Sequence, residues 1–252
     1  MLKTRIIPTM LFKENGLVKD QKFASMRRVG GALQAIKVYG LREVDELVYL
    51  DVAATRSGNP PDFALIDELA DECFMPFTVG GGIRDVQDIR QLLMVGADKV
   101  VINTAAIDSP TLIGECSRQF GSQCIVVSID VSRGLDGTPK VFSHSGTEPT
   151  GLDPVLWGRE VEARGAGEIL LTSIDQDGMM QGYDVPLVKA VTEAVSIPVI
   201  ASGGAGRYAD MATVLHETSA TAVAAASMFQ FTEQTPLEAK RFLQDQGFPV
   251  RL

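Results

Sequence analysis

Short runs of β-branched and aliphatic residues alternate with longer amphipathic stretches along the whole 252-residue chain. Such alternation belongs to a parallel sheet whose strands are joined by crossover helices. The pattern predicts strands at Arg5–Met10, Glu46–Asp51, Pro76–Val79, Lys99–Asn103, Cys124–Asp130, Glu168–Thr172, Pro198–Ala201 and Ala220–Ala224. Between them, Asp62–Glu72, Asp85–Val95, Asp153–Arg164 and Val185–Ala194 carry apolar residues at helical spacing, and several begin after Pro, Asp or Ser, as helices tend to. Eight strands with helix-length segments between them predict closure into a (β/α)8 TIM barrel, an α/β fold for which this chain has the usual length. The Pro/Gly-rich stretch Ser57–Pro61 reads as a loop, and no low-complexity linker divides the chain. Residues 1–252 are therefore expected to form a single barrel domain.

The two halves echo one another at an offset of roughly 122 residues. DELVYLDVAAT (Asp45–Thr55) parallels GEILLTSIDQDG (Gly167–Gly178), FTVGGGI (Phe77–Ile83) parallels VIASGGAG (Val199–Gly206), and VVINTAA (Val100–Ala106) parallels AVAAASM (Ala222–Met228). These echoes predict a barrel built from two similar half-barrels.

Composition narrows the function classes. The apolar content of 45% suffices for one substantial core, and the formal net charge is -9 with Lys and Arg scattered, so the electrostatic footprint of a nucleic-acid binder is missing. Cys73, Cys116 and Cys124 lack metal-ligand spacing and read as reduced, buried thiols. His144 and His216 lie far apart, so no His-based zinc motif arises, and neither a metal nor a cofactor is expected. Without a membrane-length apolar run or a signal peptide, the expectation is a soluble, cytoplasmic protein with no membrane partner.

In this fold functional groups sit at the C-terminal ends of the strands and on the loops behind them. Gly80–Gly81–Gly82 follows one strand and Gly203–Gly204 its counterpart, and glycines there let backbone N–H groups approach an anion closely. The next strand of each half leads into Asn103–Thr104 or Ala226–Ser227, where a helix N-terminus can complete a phosphate site. The symmetric pair predicts a phosphorylated small-molecule ligand with a phosphate at each end. Asp51, Asp130, Asp175 and Asp177 fall at or just past strand ends, where carboxylates would line the same substrate cavity, and Lys19, on the loop after the first strand, would reach in beside them. Acid–base chemistry on a sugar phosphate or heterocycle uses such groups. Helix capping or loop bracing is the competing role for an aspartate at a strand end. Asp130, closing the apolar run IVVSID, is the candidate catalytic carboxylate, with Lys19 as its basic neighbour.

At the opposite end Arg5, Glu46, Lys99 and Glu168 each stand at the beginning of a strand. Four charges of alternating sign would meet around the axis as a ring of ion pairs. Such a ring is either a plug that adds little net stability or a gate that can open.

RII (Arg5–Ile7), DELVYLD (Asp45–Asp51), FTVGGGI (Phe77–Ile83), GADKVVINTAA (Gly96–Ala106), GAGEILLTSIDQDG (Gly165–Gly178) and IASGGAG (Ile200–Gly206) together resemble the HisF family, the cyclase subunit of imidazole glycerol phosphate synthase, over essentially the whole chain. The resemblance implies a heterodimer: the barrel docks a glutaminase subunit at its N-terminal face and passes ammonia along its axis to a phosphorylated substrate at the C-terminal face. On that basis Arg5, Glu46, Lys99 and Glu168 form the ammonia gate, and Asp98 and Gln123 lie at the partner interface. Gly82, Asn103, Thr104, Gly178, Gly204, Ala226 and Ser227 hold the two phosphates.

The chain departs from the family pattern after the first strand. There the family carries an aspartate that acts with the one matched by Asp130; here the sequence reads RIIPTMLFKENGLVK, with Leu11 and Phe12 at that place and Glu14 the nearest carboxylate. A leucine cannot transfer a proton. Parts of the chain, VDELVYLDVAAT and PDFALIDELADECFMP among them, also resemble a branch of the family associated with amidation of surface-polysaccharide sugars, working with a glutaminase and a separate sugar amidotransferase. Three functional readings follow. The barrel supplies ammonia for such an amidation; or it is a cyclase (lyase) of histidine biosynthesis in which Glu14 or water replaces the lost acid; or it is a non-catalytic, bisphosphate-binding regulatory subunit.

Overall fold

A computed structural model describes residues 3–14, 16–19, 21–24 and 26–252. Eight parallel strands form the barrel: β1 (Arg5–Lys13), β2 (Leu47–Asp51), β3 (Phe77–Gly80), β4 (Lys99–Ile102), β5 (Ile125–Arg133), β6 (Glu168–Ser173), β7 (Val199–Ser202) and β8 (Ala222–Ala225). Each pairs with its sequence neighbour, β8 pairs with β1, and the circle has no free edge. Outside it lie α1 (Ala32–Leu41), α2 (Phe63–Ala70), α3 (Val86–Met94), α4 (Thr111–Phe120), α5 (Pro154–Ala163), α6 (Val185–Thr192), α7 (Tyr208–Glu217) and α8 (Pro236–Asp245). The expected (β/α)8 architecture is thus present, with each strand within a few residues of its predicted place.

Local chemistry explains the boundaries. Asp62, Asp85, Asp153 and Asp184 cap α2, α3, α5 and α6, each accepting from backbone N–H groups of the first turn. Such a cap contributes about 1 kcal/mol. The caps stand just outside the helices, so α2, α3 and α5 are shorter than their amphipathic stretches. Ser57 closes a one-turn helix, Ala54–Ser57, and the predicted loop begins only at Gly58. Of the three free cysteines only Cys116 is fully buried, whereas Cys73 and Cys124 are half-buried.

The largest departure from expectation is that β1 and β5 run on for nine residues each and fold back as antiparallel hairpins. β1 pairs with Gly16–Lys19, which pairs in turn with Arg27–Gly30, and β5 pairs with Pro139–Ser143. Lys19 accordingly stands on a strand rather than a loop. The turn signals were present, Glu-Asn-Gly in one excursion and Asp-Gly in the other. Being on opposite sides of the circle, the two hairpins wall the C-terminal mouth from both halves.

Inside the barrel the side chains form layers. An apolar collar of Ile7, Val48, Val101, Val126, Leu170, Ile200, Ala222 and Ala224 fills the middle, each at most 4% exposed. The rest of the core lies between sheet and helices. Below the collar is a charged ring and above it a polar cavity.

Candidate functional site

The cavity opens at the C-terminal mouth and contains about 1160 Å3 of space, including its open entrance. The structure brings together there Lys19, Asp51, Gly82, Asn103, Thr104, Asp130, Asp177, Gly178, Gly204, Ala226 and Ser227. Asp175 does not line it. Its carboxylate accepts from Ser132 Oγ at 2.8 Å and from the Arg133 N–H at 2.9 Å, bracing the β5 hairpin. The strand-end rule failed for Asp175 because its side chain turns outward to satisfy an adjacent backbone N–H.

The two halves match closely at the phosphate-type loops. Asn103 precedes the one-turn helix Thr104–Asp108 at φ -121, ψ -82, and Ala226 precedes Ser227–Phe231 at φ -125, ψ -66. Gly81 and its counterpart Gly203 adopt φ of 103 and 88, where a Cβ would lie 2.2 Å from Asp51 O and 2.5 Å from Ser173 O. Only glycine fits either loop.

Asp130, 9% exposed, sits at the cavity wall on β5. Ser128 Oγ donates to its Oδ1 at 2.9 Å and Asn103 Nδ2 to its Oδ2 at 3.2 Å. Burial pushes its carboxyl up to about 7; the Ser128 hydrogen bond opposes the shift, the nearby Asp177 charge adds to it, and Thr172 opposes it. A group with that pKa can give or take a proton near neutrality. Because the folded state favours the neutral acid, ionisation costs stability progressively as pH rises from the unfolded value of about 4 to about 7, and the loss levels off above. Melting curves from pH 4 to 8 should therefore show Asp130→Asn gaining steadily on the parent over that window; parallel curves would refute the assignment.

Lys19 is 3% exposed and its Nζ lies 3.3 Å from Asp177 Oδ2. Asp51 accepts from the N–H groups of Ala53 and Ala54 at 2.9 and 3.0 Å, so it caps the short helix while also lining the cavity. Burial raises its carboxyl. Leu11 contributes to the cavity wall, whereas Phe12 points outward onto Tyr49 with ring centres 5.4 Å apart. Glu14 follows the end of β1 at φ 50 with its side chain 80% exposed beside Lys13, and it is not a wall residue. The suggestion that Glu14 stands in for the missing acid is thereby corrected: the strand carries it past the rim. The sequence reading also missed Phe23, Met26 and Ser145, which the hairpin excursions bring to the wall.

At the other end the four charges close into a ring. Arg5 reaches Glu46 Oε2 at 2.8 Å and also pairs with Glu168, while Lys99 Nζ lies 2.9 Å from both Glu46 Oε2 and Glu168 Oε2. Thr78, missed in the sequence reading, joins it by donating to Glu46 Oε1 at 2.7 Å. Burial would push the Glu168 carboxyl up, but its hydrogen bonds and charge interactions with Arg5, and then Lys99, outweigh this and leave it below the usual range. Asp98 and Gln123 are exposed near the same end, and Asp98 also accepts from the Phe77 N–H at 2.8 Å. Among the described residues no cluster of three or more His, Cys, Asp or Glu is placed to hold a metal, and no helix is long and apolar enough to cross a membrane.

A two-fold repeated (β/α)8 barrel with paired glycine loops at a carboxylate-lined mouth and an ion-paired ring across its base is the class these features define. Residues 5–235 match the model of the family described as histidine biosynthesis protein. Two curated relatives, both imidazole glycerol phosphate synthase subunit HisF, come from Caulobacter vibrioides strains NA1000 / CB15N and ATCC 19089 / CIP 103742 / CB 15. Each is 48% identical over 253 residues, covering 100% of this chain and 97% of the relative. The chain belongs to this histidine biosynthesis family, among the HisF subunits.

Proposed function

We propose that this chain is a HisF-type subunit that receives ammonia through its barrel from a glutaminase partner and delivers it at a two-phosphate cavity without completing cyclisation there. The observation that carries this reading is the combination of an intact charged ring with Leu11, rather than an acid, on the cavity wall opposite Asp130. Arg5, Glu46, Lys99 and Glu168 are the gate. Gly82, Asn103 and Thr104 hold one phosphate, and Gly178, Gly204, Ala226 and Ser227 the other. Asp130 moves protons with Lys19 beside it, and Asp51 and Asp177 orient the ligand.

The N-terminal face supports a protein partner. Leu41, Phe74 and Met94 are 87, 90 and 79% exposed on the segments that lead into β2, β3 and β4. Large apolar side chains grouped at one end favour docking. With the cyclisation acid absent, the ammonia serves amidation elsewhere, a surface-polysaccharide sugar handled by a separate amidotransferase being the acceptor that the branch resemblance favours.

The deciding experiment is single-turnover incubation of the purified chain with ammonia and the family's aminated ribonucleotide. No imidazole product is expected. Product formation abolished by Asp130→Asn would replace this reading with the second one, an ordinary cyclase of histidine biosynthesis, which the 48% identity to HisF proteins favours.

A further inference from the structure

Beside the mouth, matching positions of the two half-barrels carry different chemistry. Ile7 and Val126 match in the collar and Leu11 and Asp130 on the cavity wall, so three residues further on Glu14 of the first half matches Arg133 of the second. Phe12 pairs with Asp51 as Val131 pairs with Ser173, which matches Ala53 to Asp175 and the helix cap Asp62 to the helix cap Asp184.

In the second half these three positions are bonded together. Arg133 lies 2.9 Å from Asp184 Oδ2 while Asp184 Oδ1 accepts from the Leu187 N–H at 3.1 Å, and Asp175 accepts from the Arg133 N–H at 2.9 Å. The first half cannot close in this way, because Glu14 and Asp62 are both acids and Ala53 offers no acceptor side chain. Asp62 caps α2 through the Leu65 N–H at 3.0 Å, and with Glu14 it lines an open groove. That groove holds about 2130 Å3 of space, its open side included, between the end of β1, the one-turn helix Ala54–Ser57, α1 and α2. Phe12, Ala32, Pro60, Leu65 and Leu69 are among its apolar lining, and its carboxylates, Glu14, Asp51, Asp62 and Glu68, outnumber its cations, Lys13 and Arg56. It shares Met26, Asp51 and Val52 with the cavity, so it opens at the rim of the mouth.

We propose that this groove docks a segment of the ammonia-consuming partner, an arginine between apolar residues, whose guanidinium takes against Asp62 the place that Arg133 takes against Asp184. That the partner is the ammonia consumer rests on the conduit reading above. Asp184 shows that a carboxylate in this position can cap its helix and bind a guanidinium at once. The planar fork of arginine suits carboxylates, Glu14 adds a second negative charge, and the apolar lining takes the flanking side chains. A partner seated there stands at the edge of the mouth and receives ammonia before bulk water can protonate it.

The test is amide NMR of the full chain titrated with the peptide acetyl-Leu-Arg-Leu-amide and with its neutral citrulline isostere. The Leu65 N–H, held by Asp62, is the local reporter. The arginine peptide should shift it and bind about tenfold more tightly than the citrulline peptide, and Glu14→Arg, which restores the second half's arrangement within the chain, should abolish the difference. Equal affinity for the two peptides, an unmoved Leu65 N–H, or a preference that survives Glu14→Arg overturns the site. Tighter binding of spermidine than of the arginine peptide marks a small-cation site and overturns the partner. The titration involves neither ammonia nor turnover, so the groove can fail here while the conduit reading stands. Imidazole product in the ribonucleotide assay, with the arginine preference intact, would remove the ammonia consumer as the occupant.

Discussion

Leu11→Asp is expected to raise turnover of the aminated ribonucleotide with ammonia by about 10²–10⁴-fold over the parent, the range that a positioned acid–base group supplies. The barrel geometry makes this change specific. β1 and β5 lie on opposite sides of the eight-stranded circle, so Leu11 and Asp130 approach the cavity from opposing walls. Leu11 is held by pairing with Leu50 on β2 and with Val18 on the hairpin return strand. A carboxylate built on this backbone would share the cavity with Asp130. Like charges would separate the two pKa values, leaving one group as acid and the other as base. Leu11→Asn is the control, since it adds polarity without an ionisable proton. Equal gains in both variants would mean that Leu11 merely restricts access, and no gain in the aspartate variant, with ligand still bound, would show that the missing acid is not the obstacle.

A larger effect on stability is expected far from the mouth. Lys240, on α8, is 2% exposed; its Nζ lies 2.7 Å from Asp45 Oδ1 and donates to Glu43 O at 2.6 Å. Asp45 Oδ2 in turn accepts from the Ile6 N–H at 3.0 Å. The pair therefore ties the last helix to the strand starts that carry Arg5 and Glu46. Lys240→Met leaves a buried carboxylate without its cation, a change that costs about 3–5 kcal/mol and should lower the melting temperature by roughly 6–20 °C. Adding Asp45→Asn removes the orphaned charge and keeps an acceptor for Ile6, so the double variant should recover much of the loss. If it melts as low as Lys240→Met alone, packing of the lysine stem, rather than the ion pair, is what matters.

Placement of the strands, the doubling of the half-barrel and the glycine loops were legible in the chain because they depend on local order. A period-2 run or an Asp cap is dictated by neighbours a few positions away, and the glycine runs behind two strands repeat at one fixed offset. The charged ring was legible for a related reason: once eight strands close, residues that begin them must converge on one axis. The sequence also marked Leu11 as a break in the family pattern. That Leu11 faces the cavity while Phe12 and Glu14 do not was decided by the register of β1 against β2 and the hairpin, since a one-residue slip exchanges the faces of a strand. The elevated pKa of Asp130, the outward turn of Asp175 and the burial of Lys240 likewise arose only in the tertiary structure. Desolvation and partner geometry depend on residues distant in sequence, and no local pattern encodes which of them will meet.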